Sequence, residues 1–425
     1  MSHSLGLDFG TTGARACVVN AGGAIVHEDR AHYPDAAMQT PLDWREALHT
    51  LLRRLPPSVS TQLQGIAIAA TSGTVLLCDE ELEPVSPALL YNDGRARKEA
   101  EQLKQLAPPD HSVCSATSGL AKFLWLTQRT DSANAAYFLH QADWLAALLT
   151  GAGGSSDYHN ALKTGYDVER LCWPDWVRHL AHAHLLPHVV APGSAVAHVS
   201  PAIAQHFKLN PGCTVHAGTT DSIAAFIAAG VHEPGAAVTS LGTTLVLKLL
   251  SEKRVEAAQY GVYSHRYGSL WLAGGASNAG GGVLRQYFSD EQLAELSVQI
   301  DPDRDSPLDY YPLPRPGERF PINDPALAPR PLRPGSGRVT DDVQFLHGLL
   351  QGLSRIEAAG YAKLAELGAT PLKSVASTGG GAKNQVWRKM RERLLGVPVT
   401  VAQHAEAAYG AALLAQRGMT EAPQI

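Results

Sequence analysis

The chain has 425 residues, of which 45% are hydrophobic and 18% are charged. This length predicts two domains, and the composition is that of a globular protein rather than a disordered chain. The 35 basic and 40 acidic residues give a net charge of -5, so no surplus of basic residues is present to bind a nucleic-acid backbone or an anionic membrane. The composition therefore favours chemistry on a small molecule.

The sequence shows no pattern of export or membrane insertion. The first residues lack the basic and apolar regions of a signal peptide, and no stretch holds about eighteen consecutive apolar residues. We therefore expect a soluble cytoplasmic protein. The five cysteines form no C-x-x-C pair and are interpreted as buried thiols. The histidines between His179 and His188 lack the spacing of a metal site, but the sequence leaves that alternative open.

Two similar hairpins are predicted, one near the start of each half of the chain. Residues 5–19 form two apolar runs around a Gly-Thr-Thr-Gly turn, and residues 237–248 repeat that pattern. The repetition indicates an internal duplication. Apolar spacing predicts further strands and helices between the hairpins; the strands cover residues 24–27, 66–70, 75–78 and 214–218, and the helices cover 42–55, 120–128, 141–149 and 222–229.

The last third of the chain alternates between irregular and regular patterns. Residues 301–341 are rich in proline, which predicts an ordered surface excursion or lid. A long helix is predicted over residues 343–367, and a strand from residue 375 leads into a Gly-rich turn and a helix over 385–395. We predict an N-terminal domain of residues 1–230 and a C-terminal domain of residues 231–425, with the last helix packing on the first domain.

Asp8, near the end of the first predicted strand, is followed after Phe9 by the turn Gly-Thr-Thr-Gly, residues 10–13. Glycines let a ligand approach the backbone closely, and consecutive N–H groups and threonine hydroxyls can donate to phosphate oxygens. Asp8 can hold Mg²⁺ directly or through water. We predict a phosphate-binding hairpin; the alternative is a plain type I′ turn. The residues assigned to phosphate are Thr11, Thr12, Gly13 and Arg15.

Two further Gly-rich turns are candidates for binding a nucleotide. The second hairpin has the same glycine and hydroxyls, so Gly242, Thr243 and Thr244 are also assigned to phosphate. The turn at residues 379–384 joins a strand to a helix N-terminus and suits adenine or ribose. The turn does not fit G-x-x-x-x-G-K-[ST], which excludes a P-loop enzyme. Residues 274–282 superficially resemble a dinucleotide fingerprint but lack its later acidic residue.

Asp221 lies between a predicted strand and a predicted helix, in the sequence Gly-Thr-Thr-Asp-Ser. Phosphoryl transfer to a hydroxyl needs a carboxylate that accepts the proton, in line with the γ-phosphate. Asp221 is our candidate for that base. Asp is also common as the N-cap of a helix, and the residues alone do not decide between the two roles.

Four motifs in this order resemble the FGGY family of carbohydrate kinases, and the match covers nearly the whole chain: residues 8–13, 218–222, 240–244 and 378–384. Further similarity lies in residues 91–95, in Lys122 and in residues 406–412. The resemblance implies an α/β fold of two ribonuclease H-like domains of the actin-like ATPase class, with ATP and Mg²⁺ in the cleft between them.

The resemblance also implies roles for individual residues. Asp8 and Thr11 would serve the metal and the phosphates, and Asp221 would be the catalytic base. The residues implied for the nucleotide site are Gly380, Gly381, Asn384 and Trp387, the last flanking the adenine. The residues implied for the sugar are Asp8, Ser72, Asp221 and Ser222.

Within that family, the chain looks most similar to the short cyanobacterial and plant-type kinases that act on D-ribulose. This likeness is in residues 71–79, 156–163 and 308–314. Tyr91 replaces the tryptophan of longer members, and their insertions are absent, so we expect a more open sugar pocket. Asp93 and Arg95 are either sugar contacts or a solvated helix start. The alternatives are a kinase for D-xylulose, L-ribulose or glycerol, or an actin-fold ATPase that acts as a nucleotide switch.

Overall fold

The structure is a computed structural model and describes residues 2–109, 111–129, 133–329 and 339–420. It divides into two compact units. The first unit runs to Ala228 and includes the segment from His404 onward, and the second unit comprises Ala229–Gln403. None of the described helices combines the length and apolar character needed to span a lipid bilayer.

The first unit is built on a six-stranded mixed sheet with the order β3-β2-β1-β4-β10-β9. β1 pairs antiparallel with β2 and parallel with β4, which in turn pairs parallel with β10. The strands of this unit are β1 His3–Phe9, β2 Gly13–Asn20, β3 Ile25–His32, β4 Leu63–Ala70, β5 Val75–Cys78, β6 Tyr137–His140, β7 Ser155–Asp157, β8 His188–Val190, β9 Ala195–His198 and β10 Thr214–Thr220.

The α-helices of the first unit are α1 Pro41–Arg53, α2 Pro57–Ser60, α3 Arg97–Leu106, α4 Gly119–Thr127, α5 Gln141–Thr150, α6 Tyr158–Ala161, α7 Asp175–Arg178, α8 Pro201–Phe207, α9 Asp221–Ala228 and, from the end of the chain, α14 Ala407–Thr420. α1 and α5 pack on one face of the sheet through large side chains such as Trp44 and Trp144, which are fully buried. Small residues of α9 and α14 cover the other face.

Glycines let α14 lie unusually close to the sheet and to α9. A Cβ atom at Gly6 would lie 2.0 Å from the carbonyl oxygen of Ala408, and one at Gly410 would lie 1.8 Å from that of Ala224. Because real Cβ atoms do not approach backbone this closely, both positions require glycine. Gly6, two residues before Asp8 in β1, therefore lies in a tightly packed layer.

The second unit has a six-stranded sheet with the order β13-β14-β12-β11-β15-β16. Its strands are β11 Ala236–Leu241, β12 Leu245–Ser251, β13 Tyr263–Tyr267, β14 Leu270–Ser277, β15 Ser374–Thr378 and β16 Val399–Val401, and its α-helices are α10 Gly281–Leu284, α11 Asp290–Ser297, α12 Val339–Glu366 and α13 Gln385–Leu395. As in the first unit, an antiparallel hairpin continues into parallel strands. The two sheets therefore share the same mixed pattern, as the repeated hairpin predicted.

The proline-rich segment is more deeply packed than we predicted. Its described part, residues 301–329, contains no helix or strand, as its prolines require. However, Leu313 and Phe320 are buried in the core of the second unit, and Glu318 accepts hydrogen bonds from Asn278 N at 2.8 Å and Tyr311 Oη at 3.0 Å. The prediction of a surface excursion is wrong for this part, because these side chains fill core space. Residues 330–338 lie outside the described residues.

Candidate functional site

The chemistry-bearing residues of the first unit meet at one edge of its sheet. Phe9 pairs with Ala70 and Ala70 pairs with Thr220, and the three strands run parallel. Because the carboxyl ends of parallel strands open on the same side, the first Gly-Thr-Thr turn, the Ser72 turn and Asp221 all follow that edge. This is the position at which open α/β sheets bind ligands.

Asp8 is a buried carboxylate with an unused oxygen. The residue is 5% exposed, and its Oδ1 has no hydrogen-bond partner among the described residues. Its Oδ2 lies 3.7 Å from Nη1 of Arg15, which also pairs with Glu406 at 3.1 Å. Burial, and then the nearby charge of Asp221, raise the pKa of Asp8 to about 7, although Arg15 opposes the shift. An unpaired anionic oxygen in this setting is suited to a cation.

The first Gly-Thr-Thr turn is not a type I′ turn. That turn needs positive φ at its central residues, and none of residues 10–13 lies in the left-handed region. Gly13 is required instead because a Cβ atom there would lie 2.4 Å from the carbonyl oxygen of Ala31 in β3. Thr11 and Thr12 are exposed, and Gln39 Nε2 donates to the Thr11 carbonyl at 2.7 Å. Gln39 therefore anchors the backbone of the turn, while the Thr11 and Thr12 side chains remain accessible to a ligand.

Asp221 is the first residue of α9, at the end of β10. Its Oδ1 accepts the N–H of Ser222 at 2.6 Å, so the carboxylate lies at the helix N-terminus, where the helix dipole favours a negative charge. This placement leaves both interpretations of the sequence open: the carboxylate contacts the start of the helix, and the residue remains partly exposed at the sheet edge. Ser222 is exposed beside it.

The Ser72 turn offers further polar groups. Thr71 Oγ1 is 2.6 Å from Thr74 Oγ1 and donates to Gln141 Oε1 at 2.9 Å. Within the described part of the chain, Ser72 Oγ and Gln141 Nε2 are buried without a hydrogen-bond partner. Buried polar groups are rarely left unpaired, so both are suited to bind hydroxyl groups. The sequence did not predict Gln141 as a site residue, because its position beside the Ser72 turn depends on how α5 packs.

A polar pocket of about 330 Å³ lies beside these turns in the first unit. Asp93 and Arg95 line it and form an ion pair at 2.8 Å. Gln39, which holds the first Gly-Thr-Thr turn, lines the same pocket. Asp93 Oδ1 also accepts the N–H of Arg95 at 3.0 Å, shortly before α3 begins at Arg97, so these contacts leave both sequence interpretations of Asp93 and Arg95 open.

The candidate nucleotide residues of the second unit also meet at a sheet edge. Ser240 pairs in parallel with Thr378, so the turn at 242–244 and the turn at 379–381 follow neighbouring strands. Gly379 has a φ of 81°, and a Cβ atom there would lie 2.8 Å from the carbonyl oxygen of Leu241. Glycine is thus needed both for the backbone conformation and for the close approach of the two turns.

The glycines of residues 274–282, set aside on sequence grounds, belong to this arrangement. Gly281 N donates to the Gly242 carbonyl at 2.8 Å, and Gly282 N to the Thr243 carbonyl at 3.1 Å. A Cβ atom at Gly280 would lie 2.5 Å from the Thr243 carbonyl oxygen. These glycines support the second Gly-Thr-Thr turn. The sequence did not predict this role, because the two loops are distant in the chain and their contact depends on the fold.

Trp387 and Asn384 have structural roles that revise the sequence interpretation. Trp387 is 2% exposed, and its Nε1 donates to Ser354 Oγ at 3.0 Å. A Cβ atom at Gly381 would lie 2.5 Å from its ring, so the ring supports the Gly-rich turn from below rather than offering a face to adenine. Asn384 caps α13 through the N–H of Trp387 at 3.0 Å. Gly380, by contrast, is exposed.

These residues fit Mg²⁺ and a nucleotide in different ways. Within the described ranges, no group of three or more His, Cys, Asp or Glu side chains is arranged to hold a metal ion. A Mg²⁺ site built on one carboxylate and completed by phosphate and water oxygens is common in phosphoryl-transfer enzymes. The unpaired Oδ1 of Asp8 fits such a site, and the exposed backbone of Gly380, where no Cβ fills the space, fits a nucleotide.

Two family models match the chain over most of its length. The model of the FGGY family of carbohydrate kinases, N-terminal domain, matches residues 3–228. The model of the C-terminal domain of the same family matches residues 237–419. The two matches follow each other along the chain, in the order of the two units described above.

Named relatives and solved structures agree with these matches. A xylulose kinase of Bacillus subtilis (strain 168) is 24% identical over 98% of this chain and 88% of its own length. A gluconokinase of the same strain is 22% identical over 97% of this chain and 87% of its own length. The crystal structure of a "xyloylose kinase from Brucella ovis" has a TM-score of 0.84 at 23% identity, over 99% of this chain and 91% of that one. The predicted α/β fold of two actin-like domains is confirmed.

Proposed function

The chain belongs to the FGGY family of carbohydrate kinases, and we propose that it transfers the γ-phosphate of ATP to a hydroxyl of a ketopentose. In its most specific form, the proposal is that the protein converts D-ribulose to D-ribulose 5-phosphate. The observation that carries the proposal is the edge of the first sheet, where Asp221 lies close enough to Asp8 to raise its pKa. One carboxylate can take a proton there while the other holds a cation.

The proposed phosphoryl transfer gives separate roles to the base, the sugar ligands and the phosphate ligands. Asp221 accepts the proton of the sugar hydroxyl as its oxygen forms the bond to the γ-phosphorus, and ADP leaves with the electron pair of the broken P–O bond. Ser72 and Ser222 bind sugar hydroxyls. Asp8 would hold Mg²⁺, which when bound would neutralise phosphate charge. The residues proposed to bind phosphate are Thr11, Thr12, Gly13, Arg15, Gly242, Thr243 and Thr244.

The nucleotide is proposed to bind to the second unit. Gly380 offers exposed backbone without a Cβ barrier for ribose or adenine, and Gly381 is proposed to line the same nucleotide site through its backbone. Asn384 and Trp387 act indirectly in this proposal, because the first caps α13 and the second supports Gly381. We also propose that residues 1–230 bind the sugar and supply the base, and that residues 231–425 bind the nucleotide.

The identity of the sugar has two strong candidates. D-Ribulose is supported by the likeness of residues 71–79, 156–163 and 308–314 to D-ribulose kinases. D-Xylulose is equally compatible with the comparisons, because several relatives are named as xylulose kinases. These two sugars differ only in the configuration at one carbon, so the preference of the protein for one of them depends on contacts to individual hydroxyl groups.

An assay of ADP release with Mg²⁺, ATP and a panel of D-ribulose, D-xylulose, L-ribulose, gluconate and glycerol tests the proposal. We expect D-ribulose to give the highest kcat/KM. A clear preference for D-xylulose would replace the substrate but keep the reaction. ATP hydrolysis that no sugar stimulates would contradict the kinase proposal and favour a nucleotide switch.

A further inference from the structure

Lys122 is a buried lysine whose hydrogen bonds reach two segments beside the proposed sugar site. The residue, in α4, has no exposed surface. Its Nζ donates to the carbonyl oxygen of Gly73 at 2.7 Å and to that of Leu90 at 2.6 Å. Burying a lysine is costly unless its ammonium group is well hydrogen-bonded, so this residue is not explained by packing alone.

The two carbonyls belong to segments that carry candidate sugar ligands. Gly73 directly follows Ser72 and has a φ of 83°. Leu90 is close in sequence to Asp93, and both line the polar pocket. Lys122 therefore links the Ser72 turn to the 90–93 segment through a single nitrogen atom.

Other hydrogen bonds join the same two segments through neighbouring residues. Tyr91 N donates to Thr74 Oγ1 at 2.9 Å, and Val75 N donates to the Leu89 carbonyl at 3.0 Å. These contacts fix the spacing of the segments beyond Gly73. The Gly73 carbonyl, next to Ser72, is fixed by Lys122.

We propose that Lys122 is a positioning residue that orients Ser72 and the 90–93 segment for binding the sugar. The inference rests on the proposed function, because it takes Ser72 as a sugar ligand. Lys122 does not touch the reacting atoms in this proposal. It acts through the two carbonyl groups, which fix the backbone on both sides of the sugar.

The proposed role does not require the lysine to be charged. Burial lowers the pKa of Lys122 to about 7; the nearby Asp93 opposes this shift and Lys163 adds to it. An ammonium group has three N–H donors and a neutral amine has two. Either form can therefore donate to both carbonyls.

The test replaces Lys122 with Met, which has a similar length but no donor. We expect kcat/KM for the sugar to fall about 10²-fold, as for other small misplacements of binding groups, while KM for ATP stays unchanged. Thr127→Val is the matched control, since Thr127 is a buried polar residue of the same helix that donates to the Phe123 carbonyl. The control is expected to leave both values unchanged.

Two further measurements separate positioning from general stability. Lys122→Gln keeps two N–H donors and should recover part of the lost sugar kcat/KM. Hydrogen exchange of the amides of Thr74 and Tyr91 should speed up in Lys122→Met and not in Thr127→Val.

The kinetic test uses whichever sugar the wild-type protein phosphorylates best. If the wild-type protein phosphorylates none, the proposed function fails and the exchange data alone test the positioning role of Lys122. Unchanged exchange at Thr74 and Tyr91, or equal losses for sugar and ATP, would overturn the proposal.

Discussion

Asp8 and Asp221 place two carboxylates near each other at the edge of one sheet, and their mutual repulsion lowers the stability of the first unit when both are ionised. Burial and Asp221 raise the pKa of Asp8 from 3.8 to about 7. The folded protein therefore binds this proton more tightly than the unfolded chain does. It follows that the free energy of unfolding should decrease as the pH rises from about 4 to about 7.

Asp8→Asn should remove this pH dependence. Above pH 7 the variant should be more stable than the wild type without Mg²⁺, by at most about 4 kcal/mol, because the cost of ionising a buried carboxylate is gone. Near pH 4 the two proteins should be similar. Urea unfolding across this range measures the difference. Asp303→Asn, which removes an exposed carboxylate, is the control and should show little change; a constant difference between Asp8→Asn and wild type at all pH values would contradict the prediction.

The helix α14 shows how closely the elements of the first unit pack. Gly410→Ala would place a Cβ atom 1.8 Å from the Ala224 carbonyl oxygen in α9. We expect a loss of about 1–3 kcal/mol in the free energy of unfolding, the usual cost of overpacking. Denaturant unfolding of the variant tests this expectation.

Gly94→Ala is the control for this helix contact, because no described atom would lie within 4 Å of the added Cβ. It should leave stability nearly unchanged. Equal stability of Gly410→Ala and wild type would mean that α9 and α14 can separate at little cost. Since Asp221 begins α9, such freedom would weaken the argument for a fixed base.

The sequence predicted individual elements well where the pattern is local. The hairpins around both Gly-Thr-Thr turns and the helix Gln385–Leu395 form where alternation and helical spacing predicted them. Elements whose role depends on distant partners were harder to predict. The glycines at 280–282 and the buried ring of Trp387 make sense only beside turns that the fold brings to them.

At the scale of the whole molecule, the repeated hairpin predicted two similar units, and the two sheets share their mixed strand pattern. Strand order could not be predicted from the sequence, because the three parallel strands whose ends carry the candidate site come from positions 3–9, 63–70 and 214–220. The core positions of Leu313 and Phe320 were hidden among prolines that the sequence associates with surface loops. Tertiary packing decided each of these features.

The most direct test is the rate at which Asp221→Asn forms sugar phosphate, compared with wild type, on the sugar that wild type prefers. The change keeps the shape of the side chain and removes the base. We expect kcat to fall by ~10²–10⁴-fold or more, while calorimetry still detects sugar binding. A variant that phosphorylates the sugar at close to the wild-type rate would contradict the assignment of Asp221 as the base.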